Sequence, residues 1–135
     1  MTAGTTRRAS ARVKGGGAEV AIPEEDTLAP LKDVMAPQAF RELVELYELT
    51  IKGALAGIAD AASRGALPAL RGHAHDLAGM CGQTGCGRAV AAARSLERAC
   101  IDGREGEALS IAARMPEETA EALAALARLG AAGRD

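Results

Sequence analysis

The sequence predicts an all-α fold: an antiparallel four-helix bundle running up-down-up-down, preceded by a short N-terminal helix and a disordered N-terminal arm. Three observations carry that expectation. The apolar residues are mainly Ala, Leu, Val and Ile, with one Phe (Phe40), one Tyr (Tyr47) and no Trp. A core that poor in aromatics suits helices interdigitating small and branched side chains better than stacked sheets. From Ala36 onward strong helix formers dominate and β-branched residues are scarce, and the apolar positions recur at spacings of three and four. At 135 residues the chain has room for one core and not for two.

The elements follow in order. Residues 1–27 are rich in Gly, Thr, Arg and Ala without a sustained period, and read as a disordered arm. Residues 28–130 read as the bundle and 131–135 as a tail. Ile22-Pro23 and Ala29-Pro30 break any helix near the end of the arm, and Leu28 to Met35 is expected as a short helix covering one end of the bundle. Pro37 suits the first turn of a long helix, because its missing N–H would be unpaired there anyway. Phe40, Leu43, Val44, Tyr47, Ile51, Leu55 and Ile58 then form one stripe as far as about Ser63, and Gly65 is the expected C-terminal cap. The second helix is expected from Leu67, with Pro68 in its first turn, to near Gly82. Thr84 is the expected N-cap of the third, which turns Ala89, Val90, Ala93, Leu96 and Cys100 inward and stops at Asp102-Gly103. The fourth begins near Arg104; Pro116 is expected to kink or restart it, and Gly130 to end it. Four helices on short turns must neighbour one another antiparallel.

Composition narrows the function. A net charge of −2 supplies no basic field for nucleic acid, and the shortage of aromatics removes stacking platforms for single strands. Only the arm is basic, through Arg7, Arg8, Arg12 and Lys14. No run approaches the roughly 18 apolar residues of a membrane span, and Gly15-Gly16-Gly17 stands where a secretory signal needs an apolar stretch. The expectation is a cytoplasmic protein. Cys81, Cys86 and Cys100 lack the spacing of a disulfide framework and read as reduced, small apolar residues.

Chemistry concentrates on the second helix. At about 100° per residue, Leu67, Leu70, Ala74, Leu77 and Cys81 cluster in one core-facing arc. His75 lies roughly 120° from the middle of that arc, on the solvent side. Its neighbours one turn away are Arg71, Gly72, Ala78 and Gly79, three of them Gly or Ala. Helix-interior glycine costs about 0.5–1 kcal/mol relative to Ala, so two beside one histidine suggest close access to its ring. His73 falls on the opposite flank and is expected half-buried. A zinc site is disfavoured, since His73 and His75 stand about 200° apart and Cys81 faces the core. No cysteine shares the face of His75, and Gly79 to Gly87 lacks the Lys-Ser/Thr end of a phosphate-binding loop.

Ala74-His75-Asp76-Leu77-Ala78-Gly79-Met80-Cys81, followed by Gly85-Cys86, resembles the histidine-containing phosphotransfer (HPt) domain family. That family's signature reads Ala-His-x-Leu-Lys-Gly-Ser-Ser/Ala, with Gly-Ala a few residues on. Leu70, Leu96-Glu97 and Asp102-Gly103 also fall where the family has similar residues, so the resemblance spans about residues 30 to 129. It implies a stoichiometric phosphocarrier with no ATP site, shuttling a phosphoryl group between receiver-domain aspartates in a two-component His-Asp relay. His75 would be the phosphoacceptor, through Nε2, and an exposed imidazole is substantially neutral and nucleophilic at cell pH. Glu97 matches a polar position able to orient the histidine. Ala78 stands where the family commonly has Lys or Arg, and Arg71 is the candidate to supply that cation. Partner docking is expected around Gly72, Ala78, Gly79 and Gly82. The implied partners are receiver domains or a hybrid histidine kinase, with Mg²⁺ on the receiver and no metal or cofactor in the domain itself, which is expected to be monomeric. The alternative is a helical adaptor that binds a receiver or kinase without transfer.

Overall fold

The computed structural model describes residues 26–132, and the elements within them are all helical. The arm expected over residues 1–27 therefore lies outside the described residues except for Asp26 and Thr27, as do the last three residues of the tail expected over 131–135. Four long helices follow a short 3-10 helix, Ala29–Asp33. They are α1 (Pro37–Ser63), α2 (Leu67–Gly82), α3 (Gly87–Ile101) and α4 (Glu105–Ala132). Each packs on its chain neighbour, and α4 returns to pack on α1, so the bundle closes as a ring. The up-down-up-down arrangement is the one short turns impose.

The interior is filled by Phe40, Ile51 and Ile58 from α1, Leu70 and Leu77 from α2, Leu96 from α3, and Met115 and Leu126 from α4. Around these large side chains, buried alanines on every helix let the backbones approach. The entry to the bundle is tied down by short-range bonds. Asp26 Oδ1 accepts from the backbone N–H of Leu28 and Ala29 at 3.1 and 2.9 Å, and the Thr27 N–H donates to the Gln83 carbonyl at 3.0 Å. Leu28 is thereby sealed into the core, against the end where α2 turns into α3. That turn passes through Gly85, whose φ of +77° is a left-handed conformation that side chains disfavour. A Cβ there would come within 3.1 Å of Asp26 Cβ.

Four local expectations are corrected. The N-terminal element is a 3-10 turn shorter than Leu28 to Met35. Thr84 does not cap α3: its hydroxyl donates back to the Cys81 carbonyl at 2.7 Å, closing α2, and Cys86 occupies the N-cap position without a side-chain bond. Pro116 does not restart the last helix, and α4 runs unbroken through it. Its ring stands on the exposed side, while the buried Met115 and Thr119 beside it anchor the turn. The Thr119 hydroxyl donates to the Met115 carbonyl at 2.9 Å. Gly130 is not a stop either, because it packs near Val44 of α1 and the helix continues to Ala132. Tertiary packing overrides local punctuation in both places.

Candidate functional site

The site lies on the outer rim of the α2–α3 groove. The second helix starts at Leu67, with Pro68 in its first turn, and buries Leu70, Ala74, Leu77 and Cys81, a stripe that fixes its rotation about its own axis. With that rotation set, His75 has no choice but to face outward, and its side chain is 67% exposed. The third helix is set in the same way by Ala89, Val90, Ala93 and Leu96. Its Glu97 comes to the edge of the groove with only 16% of its side chain exposed.

The two meet. His75 Nδ1 lies 3.0 Å from Glu97 Oε2. A carboxylate only accepts, so the proton of a neutral imidazole sits on Nδ1 and the Nε2 lone pair is left toward solvent. An exposed, oriented ring with a carboxylate behind it has the geometry of a nucleophile able to attack a partner's electrophile. The pairing also buries most of the carboxylate without leaving it unpartnered.

A comparison with protein-family models matches the Hpt domain over residues 42–131. The chain belongs to the Hpt domain family. The match runs from the first turns of α1 almost to the end of α4, so it takes in all four helices and the His75–Glu97 pair. No curated protein and no solved structure matches the chain. Membership places this Hpt domain in histidine phosphotransfer within phosphorelays, a carrier's role rather than that of an enzyme with its own ATP site.

The remaining candidates divide by flank. Gly72 and Gly79 are exposed, and a Cβ at either would meet nothing within 4 Å. Packing within the Hpt domain therefore does not require them to be glycine. Ala78 and Gly82 correct the expected docking surface: Ala78 is 0% exposed and Gly82 is buried as well. Both lie on the flank of α2 that α3 covers, where their small size lets the two helices close together. Arg71 is exposed one turn before His75, as its position on the wheel requires. It lies near enough to Cys100 to favour that thiol's ionisation, while burial, the larger effect, and Glu97 push the thiol's pKa up.

Two neighbours of the site escaped sequence reasoning. Cys100 is buried near enough to Arg71 and Glu97 for both charges to act on its thiol, though the sequence marks it only as a core residue. Ile101 is 50% exposed, an apolar side chain one turn beyond Glu97. Its signal was available, since it falls outside the inward stripe of α3. His73 is half-buried on the other side of α2, its ring resting on Gly57 of α1. Cys81 is fully buried, and burial, with Cys86 nearby, pushes its thiol up to about 12. Among the described residues no three His, Cys, Asp or Glu side chains gather as a metal site, and no helix is long and apolar enough to cross a membrane.

Proposed function

We propose that this Hpt domain accepts a phosphoryl group on Nε2 of His75 from the aspartyl phosphate of one receiver domain and passes it to the aspartate of another. The single observation that supports this most is the hydrogen bond from Nδ1 of an exposed His75 to Glu97, at 3.0 Å. In the forward step the Nε2 lone pair forms the N–P bond as the P–O bond to aspartate breaks. The electron pair departs with the aspartate carboxylate, and the Nδ1 proton stays shared with Glu97. Glu97 thus opposes the positive charge that develops on the ring. The reaction otherwise needs chiefly positioning and charge neutralisation, which the receiver and its Mg²⁺ provide.

Arg71 contributes a cation to the carried group from one turn away. The open strip at Gly72 and Gly79 gives a receiver close approach, with Ile101 as an apolar contact at its edge. The partners on this reading are receiver domains, alone or within a hybrid histidine kinase. Incubating the protein with a phosphorylated receiver domain and Mg²⁺ tests it. The expected result is transfer of an acid-labile, base-stable label that His75→Gln abolishes. Stable binding with no transferred label would instead identify an adaptor.

A further inference from the structure

We infer that Arg94 of α3 is a second phosphoryl-holding cation of this site, closing on the carried group from the side opposite Arg71. The inference rests on His75 being the phosphoacceptor. A phosphoryl group at neutral pH brings nearly two negative charges. It would arrive on a ring whose other nitrogen is bonded to the Glu97 carboxylate, beside the exposed Asp76. One arginine facing that much negative charge leaves the site short of cations.

Register supplies the second. In the antiparallel α2–α3 pair, the His75–Glu97 bond makes those two residues level. Three residues further along α2 is Ala78, and three residues back along α3 is Arg94, so these two are level as well. The same counting sets Arg71 level with Ile101. Arg71 and Arg94 therefore bracket the ring, about one helical turn to each side. The axial offset of Arg94 from His75 is about 4.5 Å, between helices whose axes pack about 8–10 Å apart. That separation is within the span of an extended arginine side chain.

The flank is right too. Arg88 is bonded to Glu118 at 2.7 Å, which marks the side of α3 that faces α4. Glu97 marks the side that faces α2. Arg94 lies about 60° from Glu97 and about 120° from Arg88 around the helix, at the outer lip of the groove. It is half-buried there, as a lip residue should be. The next arginine, Arg98, extends along the helix toward Asp102, 4.0 Å away. Ala78, wholly buried beneath α3, cannot be the root of a long side chain at this level, and the open space at Gly79 leaves a guanidinium room to lie over it. A forked guanidinium there meets two phosphoryl oxygens at once. Arg94 takes no part in bond making or breaking; it neutralises the group that moves.

Phosphoramidate supplies the test without any partner, since its P–N bond breaks with release of ammonia as the histidine N–P bond forms. The full-length chain is phosphorylated in this way and the phosphohistidine resonance lost in His75→Gln is followed by ³¹P NMR as a function of pH. Arg94→Ala should raise the titration midpoint of the phosphoryl oxygens by about half a pH unit, a one-charge effect reduced by solvent. Arg94→Lys should restore most of that shift. Arg114→Ala, on α4 and bonded to Ser110, should leave the midpoint unmoved. Matching thermal unfolding curves establish that each variant is folded. A midpoint unchanged in Arg94→Ala overturns the role of Arg94 alone. If His75→Gln loses no resonance, the phosphoacceptor reading itself falls, and the role of Arg94 with it.

Discussion

At the scale of single residues, the proposed transfer rests on one hydrogen bond, and substitutions at Glu97 separate its two contributions. Glu97→Gln keeps an acceptor for Nδ1–H and loses the charge, while Glu97→Ala loses both. Transfer from a phosphorylated receiver should slow about tenfold or more in Glu97→Ala, the scale of a charge-assisted bond, and by less in Glu97→Gln. Rapid-quench rates at saturating receiver measure this, and equal rates for all three proteins would remove Glu97 from the mechanism. His75 was legible in the sequence because exposure follows from helical period alone. Ala78 and Gly82 were misjudged for a related reason. A wheel shows how far a residue is from the core's centre, but not which flank a neighbouring helix will cover, and α3 covers theirs. Glu97 was found only through the resemblance, since nothing in the spacing of α3 says that it meets α2.

At the scale of elements, three helix-interior glycines that look alike in sequence do different work. A Cβ on Gly57 would stand 2.6 Å from Cε1 of His73, so an alanine there displaces the half-buried His73 ring from its seat on α1. Gly72 and Gly79 meet nothing. Gly57→Ala should therefore destabilise the bundle, whereas Gly79→Ala should stabilise it by about 0.5–1 kcal/mol, the ordinary gain of Ala over Gly in a helix. Urea unfolding measures both. On the proposed reading Gly79→Ala should also slow transfer from a receiver, since the added methyl would stand on the strip offered for the partner's approach. Opposite signs at Gly57 and Gly79 separate a glycine kept for folding from one kept for docking; the same sign would undo that distinction. The helices themselves were readable from period and proline position, apart from α4. There Pro116 and Gly130 carry strong local stop signals, and the packing of Met115, Thr119 and Val44 outweighs them.

At the scale of the whole molecule, the ring of four helices holds the proposed reactive face on α2 and α3 and stabilises it from behind with a core rich in small residues. Cys81 belongs to that core, six residues beyond His75, and it ties global stability to pH. Burial raises its thiol from an ordinary 9.0 to about 12. The folded state thus keeps the proton between those values while the unfolded chain releases it. A pKa raised by folding contributes stability that is complete below about 9 and is lost as pH climbs toward 12. The loss from one such group has a limiting slope of about 1.4 kcal/mol per pH unit. Cys100, also raised by burial, acts with the same sign. Urea unfolding of the wild type from pH 8 to 11 should show stability falling above pH 9, and Cys81→Ala should show a shallower fall. The substitution also leaves a small cavity, which lowers the whole curve by a constant amount and does not affect its slope. Every other ionisable group is common to the two proteins and cancels in the difference. Parallel curves would mean that the thiol ionises alike in both states, and that α2 opens to water near Cys81 well before the bundle unfolds.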